Sequence, residues 1–216
     1  MVLKLISIYD LKLYKYINMK FVTFIQHPFE NTTRLIRFFI YKISFQEFHW
    51  TDRIWSPTVH LTPRFIRCMG GVKIYTNARI EGIRKYNNVE FSPLIEFGSG
   101  VSIQQGVHIT CANHVRVGEN TAIAAYVTIT DIHHPYDDVE IPIEQQNLEV
   151  KEVIIGSDCK IYNGAVILPG VHIGNHVTIG ANSVVTHDIP SLSVAVGSPA
   201  KVIKHYDPDT KVWVKT

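Results

Sequence analysis

The chain has 216 residues, of which 46% are apolar, 19% charged and 11% aromatic, enough to bury one sizeable core, or a core plus an appendage. Its 21 Lys and Arg against 19 Asp and Glu leave a formal charge of +2, which gives no global sign of a nucleic-acid partner, and the apolar content excludes long disorder. Cys68, Cys111 and Cys159 are odd in number and far apart, so they frame neither a disulfide set nor a metal site and fit a reducing compartment.

The first 53 residues differ from the rest. Residues 1–69 hold none of the 13 glycines, and 12 of the 23 aromatic residues fall in residues 1–50. That stretch has seven Lys or Arg and three acids, a net +4, which leaves −2 for the remainder. Residues 3–24 interleave Leu3, Ile6, Leu11, Leu13 and Tyr14 with Lys4, Lys12 and Lys15. Leu35, Phe38, Phe39 and Lys42 recur at helical spacing, and Thr32 or Thr33 is the expected N-cap. The preferred reading of residues 1–53 is a helical, aromatic and basic cap on the element that follows. The alternative is a surface resting on anionic lipid. The apolar runs at 21–26 and 35–43 fall short of the roughly 20 residues of a membrane span, and no secretory pattern occurs. A cytoplasmic protein, at most peripheral to the inner face of a membrane, is expected.

Residues 54–204 follow a period of six. Ile155, Ile161, Ile167, Ile173, Ile179 and Val185 are all β-branched, and four places after each stand Cys159, Ala165, Val171, Val177, Ser183 and Ile189. The phase recurs at Phe91, Phe97, Ile103 and Ile109, and again at Val117, Ile123 and Ile129. It slips by two residues between Ile109 and Val117, and it is untidy between Ile80 and Phe91. Six residues suit a short strand plus a turn. The aliphatic residue points inward, a small one occupies the bend, and Gly118, Gly156, Gly174 and Gly180 supply unusual backbone angles. Three units make a triangular coil, and stacked coils bury a continuous aliphatic column. A sandwich, with turns about every 8–12 residues, would not hold this phase. The expected class is mainly β.

Residues 131–152 break the period, a long insertion of the kind that marks a functional face. It opens Thr130-Asp131-Ile132-His133-His134-Pro135. Both histidines leave directly from a coil, Pro135 restricts the backbone of His134, and imidazole is the natural base near neutral pH. Residues 205–216 read as a C-terminal tail.

Ile129-Thr130-Asp131, then His134-Pro135, the hexads from Ile155-Gly156 to Ile179-Gly180, and Gly197-Ser198-Pro199-Ala200-Lys201 together resemble the hexapeptide-repeat acetyltransferase family. The likeness is to the branch of maltose, galactoside and capsule or lipopolysaccharide sugar O-acetyltransferases, over about residues 70–205. It implies a left-handed parallel β-helix with a short helical N-terminal segment and an extruded loop. It implies acetyl-CoA as acyl donor, a sugar or glycan acceptor, no metal, and a homotrimer with active sites between subunits. On this register His134 is the catalytic base and His133 the second candidate. The CoA contacts fall on Tyr162, Gly180, Ala181, Ser183, Thr186, Pro199, Ala200 and Lys201. The acceptor contacts fall on Gln104 and Asp131. Lys160 stands where relatives often carry Trp, with Tyr162 as its substitute, so the acyl pocket departs from the pattern. The alternatives are N-acetylation of an amino-sugar nucleotide, a serine acetyltransferase, and a non-catalytic scaffold. A zinc carbonic anhydrase of the same coil type is disfavoured by the spacing of His108, His114, His172 and His176, which with His187 read as coil-corner residues.

Overall fold

A computed structural model describes residues 28–55 and 58–216, divided into two compact units, Met1–Ile43 and Ser44–Thr216. A helix, Pro28–Ser44, lies almost wholly in the first unit. Pro28 is its first residue, where a missing N–H removes no helical hydrogen bond. Thr32 and Thr33 therefore lie inside the helix and do not cap it. Lys42 sits in the last turn, where a cation suits the helix dipole. Leu35, Ile36, Phe39, Ile40 and Ile43 are exposed. The pattern read in residues 3–24 lies outside the described residues. No helix among the described residues is long and apolar enough to cross a membrane.

The second unit is mainly β. Its chain visits three parallel sheets in constant rotation. The first sheet takes Arg53–Ile54, Lys73–Ile74, Ser102–Ile103, Ala122–Ile123, Lys160–Ile161, Thr178–Ile179 and Ser193–Gly197. The second takes His60–Leu61, Arg79–Gly82, His108–Cys111, Thr128–Thr130, Val166–Ile167 and Val184–Val185. The third takes Ile66–Cys68, Leu94–Phe97, His114–Val117, Val153–Ile155 and His172–Ile173. Ile161 pairs with Ile179, Ile167 with Val185 and Ile155 with Ile173, so a coil in this region consumes eighteen residues, three sixes.

The register aligns like side chains into columns. Ile74, Ile103, Ile123, Ile161 and Ile179 form one, and Ile80, Ile109, Ile129, Ile167 and Val185 another, all buried. The bend positions are buried too. Ala78, Val107, Val127, Ala165 and Ser183 precede the second sheet. On the third sheet the equivalent column is larger, with Ile66, Ile95, Val115 and Val153.

Four details depart from the periodic expectation. Phe91 is outside the columns, because residues 83–93 leave the coil in a hairpin of Lys85–Tyr86 and Val89–Glu90, and the chain re-enters register at Ile95 and Phe97. Gly118 and Gly156 do not serve through unusual angles. A Cβ on Gly118 would lie 2.6 Å from the Gly156 carbonyl carbon, and one on Gly156 would lie 2.6 Å from that of Gly174. The glycines are where successive coils touch backbone to backbone; the left-handed residues of that edge include Asn120, Asp158, His176 and Leu192. His108, His114 and His172 begin strands, whereas His176 and His187 sit at bends between sheets and fit the corner role. Residues 205–216 are no loose tail, since Ala200–Asp207 and Val212–Lys215 extend the first sheet as antiparallel strands.

Candidate active site

The insertion begins at the edge between the second and third sheets, and Asp131 anchors it. The two-residue slip after Ile109 is a widened corner one coil earlier. It aims the N–H groups of Ala112 and Asn113 at the Asp131 carboxylate, at 2.8 and 2.7 Å, while the Cys111 thiol donates to the same group at 3.3 Å. Burial, then the Asp131 charge, push the Cys111 thiol well above the usual thiol range. Asp131 is fully buried. It therefore holds the fold together and does not face an acceptor, which corrects the expected substrate contact. Lys151 N–H donates to the Asp131 carbonyl at 2.9 Å, and Ile132–His133 pairs antiparallel with Glu149–Val150. The neck of the loop is thereby closed on itself.

The histidines emerge from this neck. His133 is exposed, its ring 5.8 Å from that of Tyr136. His134 is half-buried, and its Nδ1 is buried with no hydrogen-bond partner among the described residues. The Tyr86 ring stands perpendicular to the His134 imidazole at 5.4 Å. Tyr86 belongs to the hairpin from two coils earlier, and its hydroxyl donates to the Glu144 carbonyl at 2.7 Å and lies 2.8 Å from the Glu144 carboxylate. That carboxylate raises the Tyr86 pKa. The Asn87 amide donates to the carbonyls of Glu144 and Gln146. The two excursions thus grip each other beside His134. Tyr86, Asn87 and Glu144 escaped the sequence reading. The signal was present in the broken phase after Ile80 and in Asn87-Asn88, a two-residue hairpin turn whose first residue has φ +49°.

The other expected residues sit elsewhere. Gln104, Tyr162, Gly180 and Ala181 lie at the edge between the first and second sheets. Gln104 donates to the Ser102 hydroxyl at 3.1 Å. Tyr162 is exposed, with the Lys160 ammonium 5.5 Å from its ring centre. On this edge Tyr126 takes a φ of +60° where the neighbouring coils have Gly106 and Gly164, and its ring is exposed. A bulky side chain in that region is strained, and such strain gathers at functional positions. Ser183 is fully buried in a bend column, and its hydroxyl accepts the Gly197 N–H at 3.1 Å, so it is removed from the set that can touch a cofactor. Gly180 lacks a side chain because Val196 passes there, 2.7 Å from where a Cβ would lie. Thr186 returns to the edge of His134, two coils beyond the coil that carries it, and its hydroxyl meets the His187 ring at 2.7 Å. Ala200 and Lys201 pair with Gly197 and Val196 in the C-terminal hairpin, and Pro199 is exposed at its turn. One chain therefore distributes the candidates over two edges and a hairpin and does not gather them.

Among the described residues no group of three or more His, Cys, Asp or Glu is arranged to hold a metal ion.

The profile of the bacterial transferase hexapeptide family (six repeats) matches residues 152–187, the hexads after the loop. A protein of Escherichia coli strain K12 bearing the provisional name lipopolysaccharide biosynthesis O-acetyl transferase WbbJ is 40% identical over 129 residues, 56% of this chain. Residues 152–187 thus carry the repeat of the hexapeptide transferases, and the wider chain is similar to members of that group. The galactoside O-acetyltransferase of Lactococcus lactis is 33% identical over 121 residues, 55% of this chain. The match spans 66% of the WbbJ chain and 57% of the Lactococcus chain, under two-thirds of either relative's length. A hexapeptide fold is shared with a point mutant of AntD, an N-acyltransferase from Bacillus cereus in complex with dTDP-4-amino-4,6-dideoxyglucose and Coenzyme A. The TM-score is 0.66 at 19% identity, over 79% of this chain and 89% of that one.

Proposed function

We propose that the protein is an acetyl-CoA-dependent O-acetyltransferase acting on a hydroxyl of a sugar or polysaccharide precursor, with His134 as general base. The observation that carries the reading is His134 itself: a half-buried imidazole held at the mouth of a pinned loop, its ring braced by Tyr86. In the reaction His134 Nε2 takes the acceptor's hydroxyl proton as that oxygen attacks the thioester carbonyl. The resulting oxyanion is held by N–H donors, the C–S bond breaks, and the imidazolium returns its proton to the departing thiolate. The chain needs no metal and no covalent intermediate for this. The relatives' names, an O-acetyl transferase of lipopolysaccharide biosynthesis and a galactoside O-acetyltransferase, support a sugar acceptor.

The rotation of three parallel sheets supports a β-helix, and the resemblance to hexapeptide-repeat acetyltransferases implies its left-handed form. The division of candidates between edges supports a homotrimer. In that assembly the edge of one copy carrying His134 faces the Tyr162, Ala181 and Lys201 surface of the next, and acetyl-CoA lies between them. Tyr162 borders the thiol arm in place of the missing Trp, and Lys201 meets a phosphate. A cytoplasmic enzyme follows, with residues 1–53 as its cap. The exposed Leu35, Ile36, Phe39, Ile40 and Ile43 beside Arg37 and Lys42 favour a second role for that segment, contact with an anionic membrane face.

The test is thiol release from acetyl-CoA across a panel of hexoses, oligosaccharides and amino sugars, with His134→Ala alongside. We expect turnover on a hydroxyl acceptor and a loss of at least 100-fold in the variant, the scale of general-base catalysis at about 10²–10⁴. Full activity in His134→Ala overturns the base assignment. Turnover confined to amino sugars replaces O- by N-acetylation.

A further inference from the structure

The first two coils carry an open surface hollow of about 360 Å³ at the edge from which the hairpin springs, lined by Arg64, Arg67, Arg84, Gln46, Phe65 and Phe91 among others. Arg84 and Phe91 close the base of the hairpin, where the Phe91 N–H donates to the Arg84 carbonyl at 2.7 Å. No acidic side chain lines the hollow. Arg67 is compensated, since it donates to Gln46 Oε1 at 2.8 Å and pairs with Glu96 at 3.3 Å. Arg64 lies 4.6 Å over the Phe65 ring, and neither Arg64 nor Arg84 has an ion-pair partner among the described residues.

The neighbouring arginines of this surface have acidic partners. Arg67 pairs with Glu96 and Arg79 with Glu81, while the His114 ring lies between Glu96 and Glu152 at 2.8 and 3.3 Å. Arg64 and Arg84 differ from them. Two exposed guanidinium groups with no ion-pair partner among the described residues border an open hollow beside the Phe65 and Phe91 rings. The guanidinium fork matches phosphoryl oxygens, and two such groups balance the roughly −1.5 to −2 charge of a phosphate monoester at pH 7. The volume falls in the usual range of small-ligand sites, about 300–1,000 Å³.

We propose that this hollow binds a phosphate ester or diphosphate through Arg64 and Arg84. The inference makes no use of His134 and stands whether or not the chain transfers acetyl groups. The shared chemistry is the phosphoryl group, carried either by a small sugar phosphate or by a lipid headgroup.

The test is calorimetric titration of the full chain with inorganic pyrophosphate and with glucose 1-phosphate, and sedimentation with vesicles containing phosphatidic acid. The wild type is compared with the Arg64→Gln/Arg84→Gln double variant and with Arg79→Gln, which lies outside the hollow. Arg64 and Arg84 are exposed, and equal thermal melts of all three proteins check that folding is unchanged. We expect at least tenfold weaker binding in the double variant alone, with neutral glucose giving no binding to any. Binding of the soluble probes assigns a small ligand, and binding of the vesicles alone assigns a headgroup. The proposal is overturned if no probe binds, if the double variant binds as well as the wild type, or if Lys201→Gln and not the double variant abolishes binding.

Discussion

Asp131 and His134 are three residues apart and have opposite fates. Asp131 turns inward to three donors of the preceding coil, so His134 can project outward from a fixed point. Asp131→Ala would orphan the buried Ala112 N–H, a loss of about 1–3 kcal/mol, and the part-buried Asn113 N–H, a smaller one. We expect urea denaturation to show a stability loss of about 2–4 kcal/mol, with Asp131→Asn losing less because its carbonyl still accepts. An unchanged denaturation midpoint for Asp131→Ala would contradict the anchoring role. The residue run 129–135 was legible in the sequence as a departure from the coil, but the inward role of Asp131 was not. Its three donors stand eighteen, nineteen and twenty positions earlier, at a slip that looked like noise in the period. Ser183 misled for the related reason that a small polar residue at a bend reads alike whether it touches a cofactor or fills a column.

At the scale of elements, the hairpin and the loop are separate in sequence and joined in space. Tyr86 and Glu144 lie 58 positions apart, and a single non-local contact leaves no periodic trace. The strands were legible because the same steric demand returns every six residues; the grip between excursions is made once. Tyr86→Phe keeps the ring beside His134 and removes the hydroxyl from Glu144. Tyr86→Ala removes both. We expect limited proteolysis to cut within residues 131–152 several-fold faster in both variants while the thermal midpoint of the coil moves little. Turnover should fall further in Tyr86→Ala than in Tyr86→Phe, with the KM for acetyl-CoA unchanged. Equal cleavage rates in wild type and both variants would dismiss the clamp.

For the whole molecule, the net +2 conceals a basic, glycine-free beginning and a near-neutral coil stack. The coil was visible in advance through its aliphatic period, whereas the use of its glycines was not, because backbone contact between coils is a three-dimensional fact. If the N-terminal segment meets lipid, flotation with anionic liposomes should carry the full chain and leave behind a chain lacking residues 1–43. Equal flotation of the two proteins would return the segment to the capping role alone. The closed neck at Asp131 and Lys151 has a last consequence. Thr128–Thr130 and Val153–Ile155 hold their places in neighbouring sheets however the intervening residues are composed. Doubling the length of a flexible loop adds only about 0.6 kcal/mol of closure entropy. The insertion is therefore an interchangeable part: its acceptor-facing content can be rewritten, lengthened or grafted from a relative while the scaffold that presents it stays the same.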